Sequence, residues 1–179
     1  MPETPFGADA YAPAQIAERV AAVGVRKARL PWLTQALLGV LAGAYIGLGA
    51  MMFTLVASDA GLGFAATRLL GGLAFSLGLL LVVVAGAELF TGNNLIAMAW
   101  AGGHLRSGEL LLNWAWVCAA NGVGAAGLAV LVWLSGHADM NQGAVARSAI
   151  AIALAKAQLP WEQAFVRGVL CNLLVCTAV

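Results

Sequence analysis

An apolar run from Leu69 to Trp100 is interrupted by Gly86-Ala87-Glu88-Leu89-Phe90-Thr91-Gly92-Asn93-Asn94. A carboxylate, a hydroxyl, two amides and two glycines stand where a membrane span should be apolar. Insertion scales charge an ionisable residue about 2.5–3.5 kcal/mol at the centre of a span. Irregular backbone at that depth survives only when packed in protein or lining a watery cavity. A broken membrane helix with polar groups at its break is the pattern of a substrate site in a channel or transporter. Thr91 can both donate and accept a hydrogen bond, so it can swap partners as the loop moves. Glu88 reads as structural, together with Gly92 and Asn93. The expectation is that its carboxylate takes up backbone N–H groups freed at the break.

The composition calls for a membrane protein. Hydrophobic residues make up 62% of the chain and charged ones 9%, against about 25% charged in a soluble domain. The net charge of +1 gives no footing for a nucleic-acid partner. Cys118, Cys171 and Cys176 lie in apolar runs without a CxxC pair and read as small packing residues, not as a metal or disulfide framework.

The elements that must hold the break can be drawn from the sequence. Residues 1–30 lack the apolar core of a signal peptide. Pro13–Lys27 reads as an amphipathic helix with Ile16, Val20 and Val23 on its apolar side. Residues 31–179 form the membrane domain. Its first span covers about 33–57, with Gly39, Gly43 and Gly47 on one face, a row that admits a second helix closely. The second unit, about 64–101, is expected to run as a helix to Phe90, break, and resume near Leu95. The third covers about 110–134, where Asn113 and Asn121 read as interhelical hydrogen-bonding residues. The fourth starts near Trp161 and is still apolar at Val179, which reads as a chain cut inside that span. Arg19, Arg26, Lys27, Arg29 and Arg106 outnumber Arg68, Arg147 and Lys156 on the other side, which favours a cytoplasmic N-terminus.

Several segments in order carry a resemblance: Pro13-Ala14-Gln15-Ile16-Ala17, Lys27-Ala28, Gly43-Ala44-Tyr45-Ile46-Gly47-Leu48-Gly49, Gly86–Asn93, Asn113-Trp114, Asn121 with Gly124-Ala125, Gly168, and Cys171-Asn172-Leu173-Leu174-Val175-Cys176. The chain resembles the formate/nitrite transporter family of bacterial and archaeal membrane proteins along nearly its whole length. The resemblance implies an all-α, aquaporin-like bundle of two inverted three-span repeats with the second and fifth spans broken. The first repeat and part of the second would be present here. It implies homopentamers with one pore per protomer in the cytoplasmic (inner) membrane, a multi-pass protein that is not an enzyme and needs no cofactor or metal.

The implied substrates are small monovalent anions, formate, nitrite or hydrosulfide, with protons taking part in passage. The implied apolar constrictions fall on Phe75, Leu79, Leu89, Phe90 and Val175. The implied polar pore residues are Thr91, Asn172 and Lys156. The family's central histidine lies on the fifth span, so neither His104 nor His137 takes that role.

Physics supports such a pore independently. A bare anion at an apolar ring faces a large desolvation cost, which protonation or partial hydration reduces. Lys156 on the approach would raise the local anion concentration, although an interfacial, snorkelling lysine is an equal reading. An aquaporin-type neutral pore shares the architecture, but no Asn-Pro-Ala triplet stands at the break. An intramembrane enzyme would need a nucleophile–base pair or a metal cluster, and the spans carry neither. A non-transporting membrane subunit remains the other alternative.

Overall fold

The computed structural model describes residues 11–59 and 61–178. Residues 1–10, Ala60 and Val179 lie outside the described residues, and with them the first part of the N-terminal region and the last residue of the expected fourth span. Among the described residues every regular element is helical: α1 (Pro13–Ala28), α2 (Trp32–Ala57), α3 (Phe64–Ala85), α4 (Phe90–Asn93), α5 (Ile96–Ala101), α6 (Ser107–Leu134), α7 (Ala144–Ala157) and α8 (Trp161–Ala178), with a short 3₁₀ turn at His137–Asp139. Three of them, α2, α3 and α6, are long and apolar enough to cross a membrane. The fourth expected span does form a helix, α8, but it is not among those three. Glu162, Gln163 and Arg167 in its first two turns lower its apolar content.

Helix α2 is the hub, packed on α3 and on α6. Two sets of glycines make both contacts close. A methyl at Gly43 would overlap the Asn121 carbonyl, and one at Gly124 would overlap that of Val40. At Gly39 it would come within 2.6 Å of the Ala120 methyl. On the α3 side, Gly49 and Gly78 meet in the same way, each against backbone of the other helix. Close approach gives dispersion contact along the helices, the main attraction available between spans in lipid.

Helix α1 lies against α5, and its contact face differs from the expected one. Ala21, Val25 and Ala28 pack on the buried Ile96 and Ala99, while Ile16 and Val23 are exposed. Gly24 is buried in this seam, where an added methyl would come within a tight 3.3 Å of the Ala99 methyl and of Ile96 Cα. Small side chains let two short helices approach, and that outweighed the larger aliphatic stripe.

The broken unit also ends sooner than its sequence suggests. Helix α3 stops at Ala85, not at Phe90. Gly86 adopts φ 63°, the left-handed conformation in which glycine is favoured. Gly86 N donates to Val83 O and Ala87 N to Val82 O, and Val82 and Ala87 share a buried cluster with Ala42. This is a Schellman ending with its apolar clasp. The break therefore spans 86–89, and Phe90-Thr91-Gly92-Asn93 already form the short helix α4.

Candidate functional site

Once α3 has ended, the backbone of residues 87–90 needs partners at membrane depth. Tertiary neighbours supply them. Glu88 N donates to Leu38 O at 3.3 Å. Asn121 of α6 accepts from Phe90 N at 2.8 Å and donates to Glu88 O and Gly39 O, each at 2.8 Å. One amide thus ties α2, α6 and the break together. Trp114 Nε1 donates to Asn93 O at 3.0 Å, which fixes the end of α4.

The Glu88 side chain is only 2% exposed and does not cap backbone, contrary to the sequence expectation. Its Oε1 lies 3.0 Å from Lys27 Nζ, and its Oε2 accepts from Asn93 Nδ2 at 2.7 Å. Asn93 is fully buried. It also accepts from Lys27 at 3.3 Å and donates to Asn113 Oδ1 at 3.1 Å. Of the freed N–H groups, Phe90 N went to Asn121 of α6 and Glu88 N to Leu38 O of α2, and the carboxylate was left to meet the cation that α1 brings in. Desolvating a carboxylate costs several kcal/mol unless a partner offsets it, and here an ammonium and an amide do so.

A cavity of about 170 Å³ opens beside the break, lined by Lys27, Val82, Val83, Gly86, Ala87, Leu89 and Gly92. It sets one cation among aliphatic walls and exposed glycine backbone. Leu89 is half-buried against the Ala42–Val82–Ala87 cluster. The Phe90 ring packs edge-on against Trp114, with centroids 6.5 Å apart. Phe75 and Leu79 sit one turn apart on α3, Phe75 exposed and Leu79 half-buried.

Thr91 and Asn172 come together through a residue that the sequence had marked only as packing. The Cys176 thiol contacts Thr91 O at 3.5 Å and Asn172 Oδ1 at 3.1 Å. Asn172, Val175 and Cys176 are all half-buried. The other two cysteines are exposed. Thr91's hydroxyl makes no hydrogen bond among the described residues. Lys156 is exposed in the last turn of α7 and forms no ion pair among them. It is not brought to the break.

Lys27 is the partner of Glu88 that sequence reasoning did not foresee: it entered there as an orienting charge, as the end of the amphipathic helix and in the matched Lys27-Ala28 pair. A usable signal existed. It stands next to Ala21, Gly24, Val25 and Ala28, and a run of small residues on one face marks a contact seam.

A sequence model of the formate/nitrite transporters matches residues 14–179. The chain is 38% identical over 142 residues to the formate channel FocA of Haemophilus influenzae, covering 79% of this chain and 50% of that protein. It is 36% identical over 178 residues to FocA of Escherichia coli K12, covering 99% and 62%. The chain thus spans half to under two thirds of the length of these relatives. A solved ion channel of the same family aligns with a TM-score of 0.81 at 29% identity, over 91% of this chain and 66% of that one. A pentameric formate channel solved with formate bound aligns with a TM-score of 0.72 at 35% identity, over 82% and 58%. The helical architecture, the membrane-length helices and these matches along the chain make it a multi-pass membrane protein that belongs to the formate/nitrite transporter family.

Proposed function

We propose that the intact protein is a transmembrane channel for small monovalent anions, formate or nitrite, and that the break between α3 and α4 is the centre of its pathway. The observation that carries this reading is the neutralised carboxylate. A lone Glu88 beside an anion path would repel its cargo; paired with Lys27 at 3.0 Å it does not. Lys27 also lines the cavity alongside. The solved neighbour with formate bound is consistent in ligand size and charge.

In this reading Leu89, Phe90, Phe75, Leu79 and Val175 form the apolar constrictions. They exclude hydrated ions because stripping water from a full charge is costly. Thr91, with its unengaged hydroxyl, and Asn172 provide polar contacts between them. Lys156 concentrates anions at the approach. Glu88, Gly92 and Asn93 hold the break. Protonation of the anion in transit lowers the barrier at the apolar rings, so passage is linked to pH. The protein is a homopentamer of the inner membrane with its N-terminus in the cytoplasm, the side favoured by its arginines and lysines.

Flux of formate, nitrite and hydrosulfide into proteoliposomes holding the intact protein tests this reading. The expected result is formate and nitrite uptake that rises as external pH falls. Selective hydrosulfide flux would favour that substrate instead. No flux of any of the three would leave a non-transporting subunit.

A further inference from the structure

Between the α1–α2 connection and the start of α6 lies a groove of about 430 Å³, separate from the break. Its floor holds Asn113, 3% exposed. The orientation of that amide follows from its neighbours. Asn93 Nδ2 serves the Glu88 carboxylate and so must be a donor, which obliges Asn113 to present its oxygen to it. Asn113 Nδ2 is left buried without a hydrogen-bond partner. Buried polar groups are nearly always paired, and an orphan calls for an acceptor. Beside it, Gln35 is 6% exposed and spends its Nε2 on Lys27 O and Ala28 O. No group among the described residues donates to its Oε1.

The rim carries both charges. Arg29 Nε and Glu109 Oε1 lie 3.2 Å apart, with side chains 59% and 33% exposed; Glu109 Oε2 also accepts from Arg106 N at 2.9 Å, and Arg29 Nη2 donates to His104 O at 3.4 Å. The walls are apolar and aromatic. Trp32 and Trp116 stack edge-to-face with centroids 6.2 Å apart, held by Trp116 Nε1 donating to Trp32 O at 3.0 Å. Leu112 is 73% exposed next to them. Trp32 opens the first membrane-length helix, and tryptophans at span ends sit at the headgroup level.

We propose that this groove binds a zwitterionic phospholipid with a primary ammonium. The ammonium pairs with Glu109 and donates to Gln35 Oε1. Phosphate or ester oxygens accept from Arg29 and Asn113 Nδ2. The acyl chains run along Trp116 and Leu112. Charge balance selects this class: the Arg29–Glu109 pair is already neutral, so a headgroup of net charge gains nothing from it, whereas a zwitterion can set one charge beside each member.

Native mass spectrometry of the purified intact protein, with phosphatidylethanolamine and phosphatidylglycerol of identical acyl chains, tests the proposal. Phosphatidylethanolamine should be retained about ten-fold more tightly, a difference of one charged hydrogen bond. Glu109→Gln should abolish that preference. Leu112→Ala, at a position 73% exposed among the described residues, and Trp116→Ala should both weaken retention. Equal retention of the two lipids, or retention unchanged in Leu112→Ala and Trp116→Ala, overturns it. Cross-linking of Leu112→Cys protomers to each other through that position also overturns it, because a second copy then covers the groove.

Discussion

Lys27 Nζ stands 3.0 Å from Glu88 Oε1, and this contact fastens the N-terminal helix to the break in the second span. Because Glu88 is 2% exposed and Lys27 29%, losing the cation strands a buried charge, while losing the carboxylate leaves a lysine that can reach water. Lys27→Met should therefore destabilise by about 3–5 kcal/mol, and Glu88→Gln by less. The double variant should recover most of the Lys27→Met loss. Thermal unfolding of the four proteins in detergent checks this, and a double variant no better than Lys27→Met would refute the pairing.

Asn121 supports three backbone groups from two other segments. Asn121→Leu leaves Phe90 N, Gly39 O and Glu88 O to find new partners, at about 1–3 kcal/mol for each that stays buried and unpaired. Asn121→Asp keeps the acceptor for Phe90 N and loses both donors. Unfolding temperature should fall well below that of wild type in the leucine variant. A leucine variant as stable as wild type would mean that the break is held by other contacts.

The glycines divide into two groups that one substitution separates. Gly43→Ala and Gly124→Ala each drive a methyl into backbone of the facing helix, where nothing can swing aside. Gly72→Ala and Gly122→Ala meet no atom within 4 Å and should be neutral or stabilising, since alanine is the better helix former by about 1 kcal/mol. Yield of folded protein on size-exclusion chromatography should fall for the first pair alone.

Thr91 has a hydroxyl free of hydrogen bonds among the described residues. Under the proposed function Thr91→Ser should keep most of the formate flux. Thr91→Val keeps the branched shape, removes the hydroxyl and should reduce flux about ten-fold or more, as loss of a hydrogen bond to a charged group does. Equal flux and equal pH dependence in the two variants would show that the side chain only packs.

Leu89 is half-buried and lines the cavity that also holds Lys27. Leu89→Ala should widen the constriction and raise passage of larger carboxylates, acetate or lactate, relative to formate. The ratio of fluxes in proteoliposomes measures it, and an unchanged ratio would remove Leu89 from the constriction.

Much of this was legible in the chain itself, because it depends on local chemistry. The apolar runs dictated membrane-length helices, since hydropathy is summed along the sequence. The Gly39–Gly43–Gly47 row announced a close helix contact, and α6 takes that place. The polar residues at 86–94 announced a broken span, since a bilayer tolerates them only there. Even the early stop of α3 was written in Gly86 directly after an apolar run, although its meaning was missed. Other features came from distance in space. Which donor meets Glu88, which amide meets Phe90 N, and which face of α1 is buried all depend on segments far apart in the chain. Side-chain partners at such separations are chosen by how closely the helices can pack, and that closeness is set by glycines and alanines whose own chemistry is silent. Tertiary structure therefore assigned Lys27 to Glu88, Asn121 to the break and Cys176 to the Thr91 carbonyl, while the sequence alone had already required that a buried carboxylate find some partner.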